Sequence, residues 1–477
     1  MADVVIVGAG FSGHTAALYL AEKLNDSDNL TVISNSENFI FRPLLADVAT
    51  GRLKQEKITI SLPKIYSKFP KINFINAKVT AVFPDENVIE ITKEGTNQNK
   101  IKYDFLIIAT GSTADFSATK GFVTNGQNIG SIVDIAEIKK TQKAVDEIIL
   151  QLKKGDKKKI IVGSGHPNST YHNGTLNFAI NLHYRLIDEK VRDRAEILYF
   201  TNENQLGDFG LKNPVIKRNG KLISAKDVLI KILNEHNIKF STGNAVKEIN
   251  SNQIFYENSD GEFFEENFDL AVLIPKIKGT EIKFIDKNST NITSKIFDKD
   301  NRILVDTFYN LEYSDLISNP DLLPSRYWNR NYKNIFAGGS VFAMPSTISE
   351  PVVTKNGTNI TPEPFIGTSV SAAIGRLIAK NISEFMTESR MTHSLRLSEL
   401  LSIFTIQLGG RGLNSEAFLL SIYPVFPDVR KYPKEHGRDL FVSSLEVGTA
   451  AHWMRKLINE SYIYKFKAKT GWRIIPE

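Results

Sequence analysis

Short apolar runs that end in glycine or other small residues alternate along this chain with longer stretches whose apolar positions recur at helical spacing. The first run, residues 4–7, ends in "GAGFSG" (residues 8–13) and is followed by "HTAALYLAEKL", predicting strand, turn and helix in that order. A second unit starts at "KKKIIVGSG", with "RAEILYF" as its next strand. "YDFLIIATGS" and "FDLAVLIPKIKG" hold the same relative place in each unit, so the chain reads as two similar halves. "KNIFAGGSVFAMPS" adds another strand and glycine turn. A loop rich in Pro, Thr and Asn then leads into the helical "GTSVSAAIGRLIAKNI", which is expected to return to the first unit, and a separate C-terminal piece begins near Thr392.

The first turn carries chemistry. Gly8 permits a tight turn, Gly10 lets the backbone approach a pyrophosphate, and Gly13 lets the helix pack on the strand while its N-terminus faces the anion. Lying between a strand and a helix, Gly8, Gly10, Phe11, Ser12 and Gly13 read as a dinucleotide cradle. The next strand, "LTVIS", ends in Ser34 where an acid would hold a ribose hydroxyl. Glu37 either compensates or is a solvated loop charge, and Ser34 offers one hydrogen bond. "NFINAKVTAVFPDENVIEI" alternates as strands able to close over an adenine, and residues 105–108 predict a buried strand that delivers Ala109, Thr110 and Gly111 to a cofactor.

The second glycine loop is poorer. It has Asn168 where a third glycine is wanted, and Pro167 removes an amide donor, although Glu203 stands within range of a ribose. His166, before Pro167, is expected in an extended surface position. The expected fold class is α/β: two Rossmann-like, FAD/NAD(P)-binding domains plus a C-terminal membrane-attachment region. The expected ranges are 1–112 for the first part of one domain, 113–290 for the second, 291–390 for the return, and 391–477 for the C-terminal region.

Composition narrows the chemistry. The 477 residues include no cysteine, which excludes disulfides, thiolate metal sites and thiol nucleophiles, so electron chemistry requires a bound cofactor. No metal site is expected. A net charge of +6 is modest for this length and predicts no nucleic-acid partner. No apolar stretch is long enough to span a bilayer, and the opening "MADVVIVGAGF" lacks the features of a secretory signal, which predicts an intracellular protein.

Taken together, "GAGFSG", "SENFIFRPLLADVATG", "YDFLIIATGS", "IFAGGSVFAMP" and the ending "AAHWMRKLINESYIYKFKAKTGWRIIPE" resemble the sulfide:quinone oxidoreductase family of two-dinucleotide-binding-domain flavoproteins, alongside the type II NADH dehydrogenases. The resemblance covers nearly the whole chain. It implies FAD along residues 8–13, with Ser34 and Asn35 at the ribose, Arg42 and Pro43 near the isoalloxazine, Ala77 and Val79 at the adenine, Ala109 to Gly111 beside the pyrophosphate, and Gly339 and Ser340 near the ribityl chain. It also implies transfer of electrons to a membrane quinone.

Several residues depart from the family pattern. The cysteine that receives sulfide sulfur is replaced in "YHNG" by His172, and its partner position in "SIFTIQLGGRG" offers only Phe404 or Ser402. A histidine forms neither polysulfide nor disulfide, so the usual sulfide route is closed. His172 then reads either as a general acid or base beside the flavin or as a loop histidine satisfied by backbone. Ser340 stands where many relatives place Asp, and the family's "Pro-Lys-x-Gly" near the quinone corresponds to Pro364-Phe365-Ile366-Gly367, which makes Phe365 and Ile366 the expected quinone contacts.

In the tail, Trp453, Met454, Leu457, Ile458 and Tyr462 recur at helical spacing beside Arg455 and Lys456, and Tyr464, Phe466 and Trp472 interleave with Lys465, Lys467, Lys469 and Arg473. This pattern suits an anionic membrane surface, or else a packed helix with a solvated basic face. The expectation is an FAD-dependent oxidoreductase on the cytoplasmic side of the cell membrane, peripheral and monotopic, alone, as a homo-oligomer or with a related subunit. A catalytically inactive flavin-binding or scaffold homologue and an NADH:quinone oxidoreductase remain alternatives.

Overall fold

The structure, a computed structural model, describes residues 2–93, 99–124, 128–212, 214–218, 220–349, 351–363, 366–410 and 412–477. Asp3–Val7 is apolar and buried because it is the central strand of a five-stranded parallel sheet, ordered Ile335–Ala337, Phe105–Ile108, Asp3–Val7, Asn29–Ser34, Ile72–Asn76. Val7 stands level with Ile33 on one side and Ile108 on the other, so three strands end together beside the first glycine turn. The following helix, Phe11–Lys23, packs against Thr368–Glu388, and Gly375 of the latter allows the close crossing: a Cβ there would lie 2.2 Å from the Ser12 carbonyl oxygen.

A second parallel sheet runs Ile129–Gly130, Leu270–Ile274, Lys158–Ser164, Ala195–Phe200, Lys239–Ser241. The two strands that echo each other in sequence thus lie in different sheets. Their continuations, Ser112–Asp115 and Lys276–Gly279, pair antiparallel with Thr113 level with Lys278 and join the two sheets. After residue 400 an antiparallel sheet of Ser402–Gly409, Glu416–Ile422 and Ser444–Gly448 is covered by the helix Thr449–Phe466. No helix among the described residues is long and apolar enough to cross a membrane.

The tail corrects the one-dimensional pattern. Tyr462, Phe466 and Trp472 are buried, the last with its ring 5.0 Å from that of Tyr19. Lys465 is fully covered, its Nζ 2.5 Å from Glu477 Oε1 and 2.6 Å from the Ile475 carbonyl. These side chains belong to the core because the helix docks on the first unit: the Phe466 carbonyl accepts from Nε2 of buried His14, whose Nδ1 faces the Tyr66 hydroxyl at 2.9 Å. Only Trp453, Met454, Leu457 and Tyr464, of the apolar residues expected at a membrane, stand well exposed.

Arg455 is also inside. It donates to Asp47 Oδ2 at 2.8 Å and to Gln407 Oε1 at 3.2 Å, while Asn177 donates to the same Asp47 oxygen at 3.1 Å and accepts from the Gln407 amide at 2.8 Å. Removing one partner of a buried pair strands the other charge. Arg455→Met is expected to destabilise the protein by about 3–5 kcal/mol, and Asp47→Asn combined with Arg455→Met to recover much of the loss. Denaturant midpoints of both variants check this, and a double variant no more stable than Arg455→Met would overturn the expected recovery.

Candidate functional site

The ends of the first three strands open into a cleft of about 290 Å3. Gly8, Gly10, Phe11, Ser34, Asn35, Arg42, Ala77, Val79, Ala109 and Thr110 all line it, bringing together residues far apart in the chain. Gly13 lies behind the turn. A Cβ there would fall 2.0 Å from the Gly8 carbonyl oxygen, whereas at Gly10 the only neighbour within reach is the Ala109 oxygen at 4.0 Å. One glycine is therefore required by packing and the other leaves open the space a pyrophosphate needs. Two hydroxyls beside this turn, Ser12 Oγ and Thr110 Oγ1, are buried with no hydrogen-bond partner among the described residues. Buried polar atoms rarely stay unpartnered, so the cradle fits a dinucleotide in both shape and chemistry.

Around Ser34 the wall of the cleft is neutral. Ser34 is buried and its Oγ accepts from the Ser36 amide at 3.3 Å. Asn35, Ser36 and Asn38 complete this part, while Glu37 is exposed and absent from the wall, so it does not replace the missing acid. Thr280 and Ile282 also line the cleft. They follow the second echoing strand, and that echo is the sequence signal that could have found them. Gly111 and Gly339 sit beside the cleft, Gly339 with Ser12 beneath it. Ser340 faces a neighbouring cavity, where its Oγ lies 3.4 Å from Ser112 Oγ.

Arg42 bridges the cleft and a smaller space of about 110 Å3. Burial lowers its pKa, with the nearby Tyr171 and Asp134 acting the other way. Pro43 instead lines an apolar cleft of about 70 Å3 with Phe41, Ile403, Phe404, Ile458 and Tyr462. Ser402 and Phe404, at the second cysteine position of the family, also face this cleft. Ile366 does not; it lines the cavity beside Ser340, while its neighbours Gly367 and Thr368 reach the apolar side. Phe365 lies outside the described residues.

His172 lines none of these spaces. It begins the helix His172–Asp188, is 3% exposed, and its Nε2 lies 2.7 Å from Asn202 Oδ1. Burial lowers its pKa to about 4, partly opposed by the Asn202 bond. The imidazole sits in a polar knot, since Asn202 also accepts from Ser164 Oγ and donates to the carbonyls of Pro167 and Ser169. The residue facing the clefts is Tyr171, at φ 65°, which lines both the small space and the apolar cleft. Its hydroxyl lies 3.2 Å from the Arg42 carbonyl. Sequence reasoning missed it; the available signal was Gly174, whose Cα packs against the Tyr171 ring.

The second glycine loop is closed. A Cβ at Gly165 would fall 2.4 Å from the Phe122 ring, so an aromatic side chain occupies the approach a pyrophosphate would use. Glu203 is fully buried and accepts from the Phe209 amide at 2.7 Å and Thr201 Oγ1 at 3.0 Å, with burial pushing its pKa up to about 7. It is not available to a ribose. His166 is half-buried rather than on the surface, because its Nδ1 accepts from the Asn168 amide at 3.0 Å.

Residues 2–166 match the family described as Pyridine nucleotide-disulphide oxidoreductase. The sulfide-quinone reductase of Aquifex aeolicus is 27% identical over 351 residues, 74% of this chain and 71% of that protein. The type II NADH:quinone oxidoreductase NdhA of Mycobacterium tuberculosis is 31% identical over a shorter stretch, 28% of each chain. Among solved structures, the sulfide:quinone oxidoreductase of Aquifex aeolicus superposes with a TM-score of 0.75 at 23% identity, covering 98% of this chain and 92% of that one. The NDH2 of Plasmodium falciparum in complex with NADH gives 0.67 at 14%, covering 99% and 97%. The chain has the α/β fold related to FAD/NAD(P)-binding proteins and resembles the FAD-dependent flavoproteins of the sulfide:quinone oxidoreductase type, without their cysteines.

Two predictions follow from the site's geometry. Gly10→Val directs a side chain into open cleft and is expected to leave the fold intact but abolish flavin absorbance, whereas Gly13→Ala lowers the melting midpoint; normal flavin content in Gly10→Val would sink the assignment. For His172, the folded pKa of about 4 lies below the ordinary 6.5. Its contribution is full above about pH 6.5 and is lost, by about 3 kcal/mol, as pH falls toward 4. Stability of His172→Gln measured across that window should fall less steeply than that of the unaltered protein.

Proposed function

We propose that the protein is an FAD-dependent oxidoreductase of the sulfide:quinone oxidoreductase type that passes electrons to a membrane quinone without a cysteine-polysulfide step. The observation that carries this reading is the first cleft, with Gly10 open and the Thr110 hydroxyl, which lines it, unpartnered among the described residues. FAD, when bound, supplies the redox chemistry. Gly8 to Gly13 would hold its pyrophosphate, the neutral wall of Ser34 and Asn35 its ribose, Ala77 and Val79 its adenine, and Arg42 the approach to its redox end. The preserved cradle favours a working flavoprotein over an inactive scaffold, and the Phe122 plug against Gly165 argues against NADH as donor.

Support for a quinone acceptor comes from the apolar cleft under Tyr171 and from the similarity to the Aquifex aeolicus relative. The helix Thr449–Phe466 gives Ile458 and Tyr462 to that cleft and exposes Trp453, Met454 and Leu457 elsewhere on its surface. Lys456 sits 4.9 Å from the Trp453 ring centre, and the loop before the strand Ser444–Gly448 exposes Phe441 at 94% and Val442. Aromatic and aliphatic side chains with adjoining cations suit the interface of an anionic bilayer. Peripheral attachment there would bring a lipid-soluble quinone to the cleft, with the cytoplasmic leaflet as the proposed face.

Anaerobically reduced protein is expected to regain its flavin absorbance on addition of a short-chain ubiquinone, and reduction by sulfide or by NADH to be absent or slow. Reduced protein that stays bleached with quinone would overturn the reading. Phe441→Glu with Leu457→Glu should release the protein from phosphatidylglycerol vesicles while leaving its flavin content unchanged; unchanged cosedimentation would remove the attachment surface.

A further inference from the structure

Phe11 and Phe39 both line the dinucleotide cleft, and Phe466, which does not line it, packs against both. The rings of Phe11 and Phe39 meet edge to face at 5.1 Å. The Phe466 ring lies 5.3 Å from the first and 5.1 Å from the second. Phe466 is fully buried, whereas Phe11 is half-buried, with the cleft on its open side. Phe11 also directly follows Gly10, whose open space a pyrophosphate needs. A half-buried ring beside a cleft has several rotamers open to it. Seated against three aromatic neighbours, Phe39, Phe41 and Phe466, this one has few.

Bonds outside the cleft fix the place of Phe466. Its carbonyl accepts from His14 Nε2 at 2.8 Å, and a carbonyl only accepts, so the neutral imidazole takes the Tyr66 hydroxyl at Nδ1, 2.9 Å away. Burial keeps His14 neutral, lowering its pKa to about 4. The chain then turns back, and the Glu477 carboxylate accepts from Lys465 Nζ at 2.5 Å, the Tyr19 hydroxyl at 2.9 Å and Arg376 Nη1 at 2.5 Å. His14 and Tyr19 belong to the helix Phe11–Lys23, and Arg376 to the helix Thr368–Glu388 packed on it. Residues 465–477 are therefore fastened to the very helix whose first residue is Phe11.

We propose that Phe466 is a positioning residue for the dinucleotide: it holds Phe11 and Phe39 as one wall of the cleft, so docking of residues 465–477 and binding of FAD are coupled. The inference rests on the flavin reading above. Coupling of this kind is reciprocal, because any free energy the docked segment adds to FAD binding is returned by bound FAD to the docking.

Apoprotein would be titrated with FAD, following flavin fluorescence, in the unaltered protein, in Phe466→Leu and in Phe268→Leu, a change in the separate core of the second unit that reports general loss of stability. Phe466→Leu is expected to bind FAD about tenfold more weakly, through the loss of two ring contacts. Phe268→Leu is expected to lower the melting midpoint and bind as the unaltered protein does. Equal affinity in Phe466→Leu, or equal weakening in both variants, overturns the proposal. The reciprocal arm needs no variant to fold: saturating FAD should slow trypsin cleavage after exposed Lys469 several-fold in the unaltered protein. The same cleavage rate with and without FAD overturns the coupling. An unaltered protein that takes up no FAD sinks the flavin reading, and this proposal with it.

Discussion

A single buried carboxylate, Asp47, holds together three parts of the chain that local sequence cannot relate. It receives Asn177 from the helix His172–Asp188 and Arg455 from the helix Thr449–Phe466, while Gln407, on the strand Ser402–Gly409, bonds to both of those partners. Those same three elements supply Asn173, Ile458, Tyr462 and Phe404 to the apolar cleft. A buried charge tolerates little displacement of its partners, since each bond lost leaves desolvation uncompensated. The position of the cleft walls is therefore set by polar bonds a few ångströms away, and their chemistry by apolar side chains.

The dinucleotide cleft is governed by a different constraint. Its shape comes from backbone crowding: the turn must bring Gly8 and Gly13 into contact before the helix can lie on the strand. Once that contact is made, Gly10 is left facing open space. Packing at two glycines thus creates vacancy at the third, which is why a short local pattern carries so much information about the cofactor. The second loop lacks the third glycine, with Asn168 in its place, and the Phe122 ring lies against Gly165.

This difference marks what was legible in the sequence. The strands, the first turn and the echo between the two apolar strands follow from neighbours in sequence, whereas the pairing of residues 335–337 with the first sheet was not read there. The adenine and ribose walls were legible through resemblance and do converge on the cleft. The tail was misread in part because alternation of basic and aromatic residues does not distinguish a cation facing lipid from one with a buried partner. Asp47 lies 408 residues before Arg455, and no local pattern contains that pairing. No local pattern announces the left-handed turn at Tyr171, which sends the His172 imidazole toward Asn202 and leaves the phenol facing the clefts.

Tyr171 then stands between two spaces. On one side lies the small space next to Arg42; on the other is a cleft walled in part by the helix with exposed Trp453 and Leu457. An aromatic residue held at positive φ needs compensation from its surroundings. Gly174 beneath the ring and the contact with the Arg42 carbonyl provide it. With no thiol in the chain, electron transfer at this site is left to a bound cofactor.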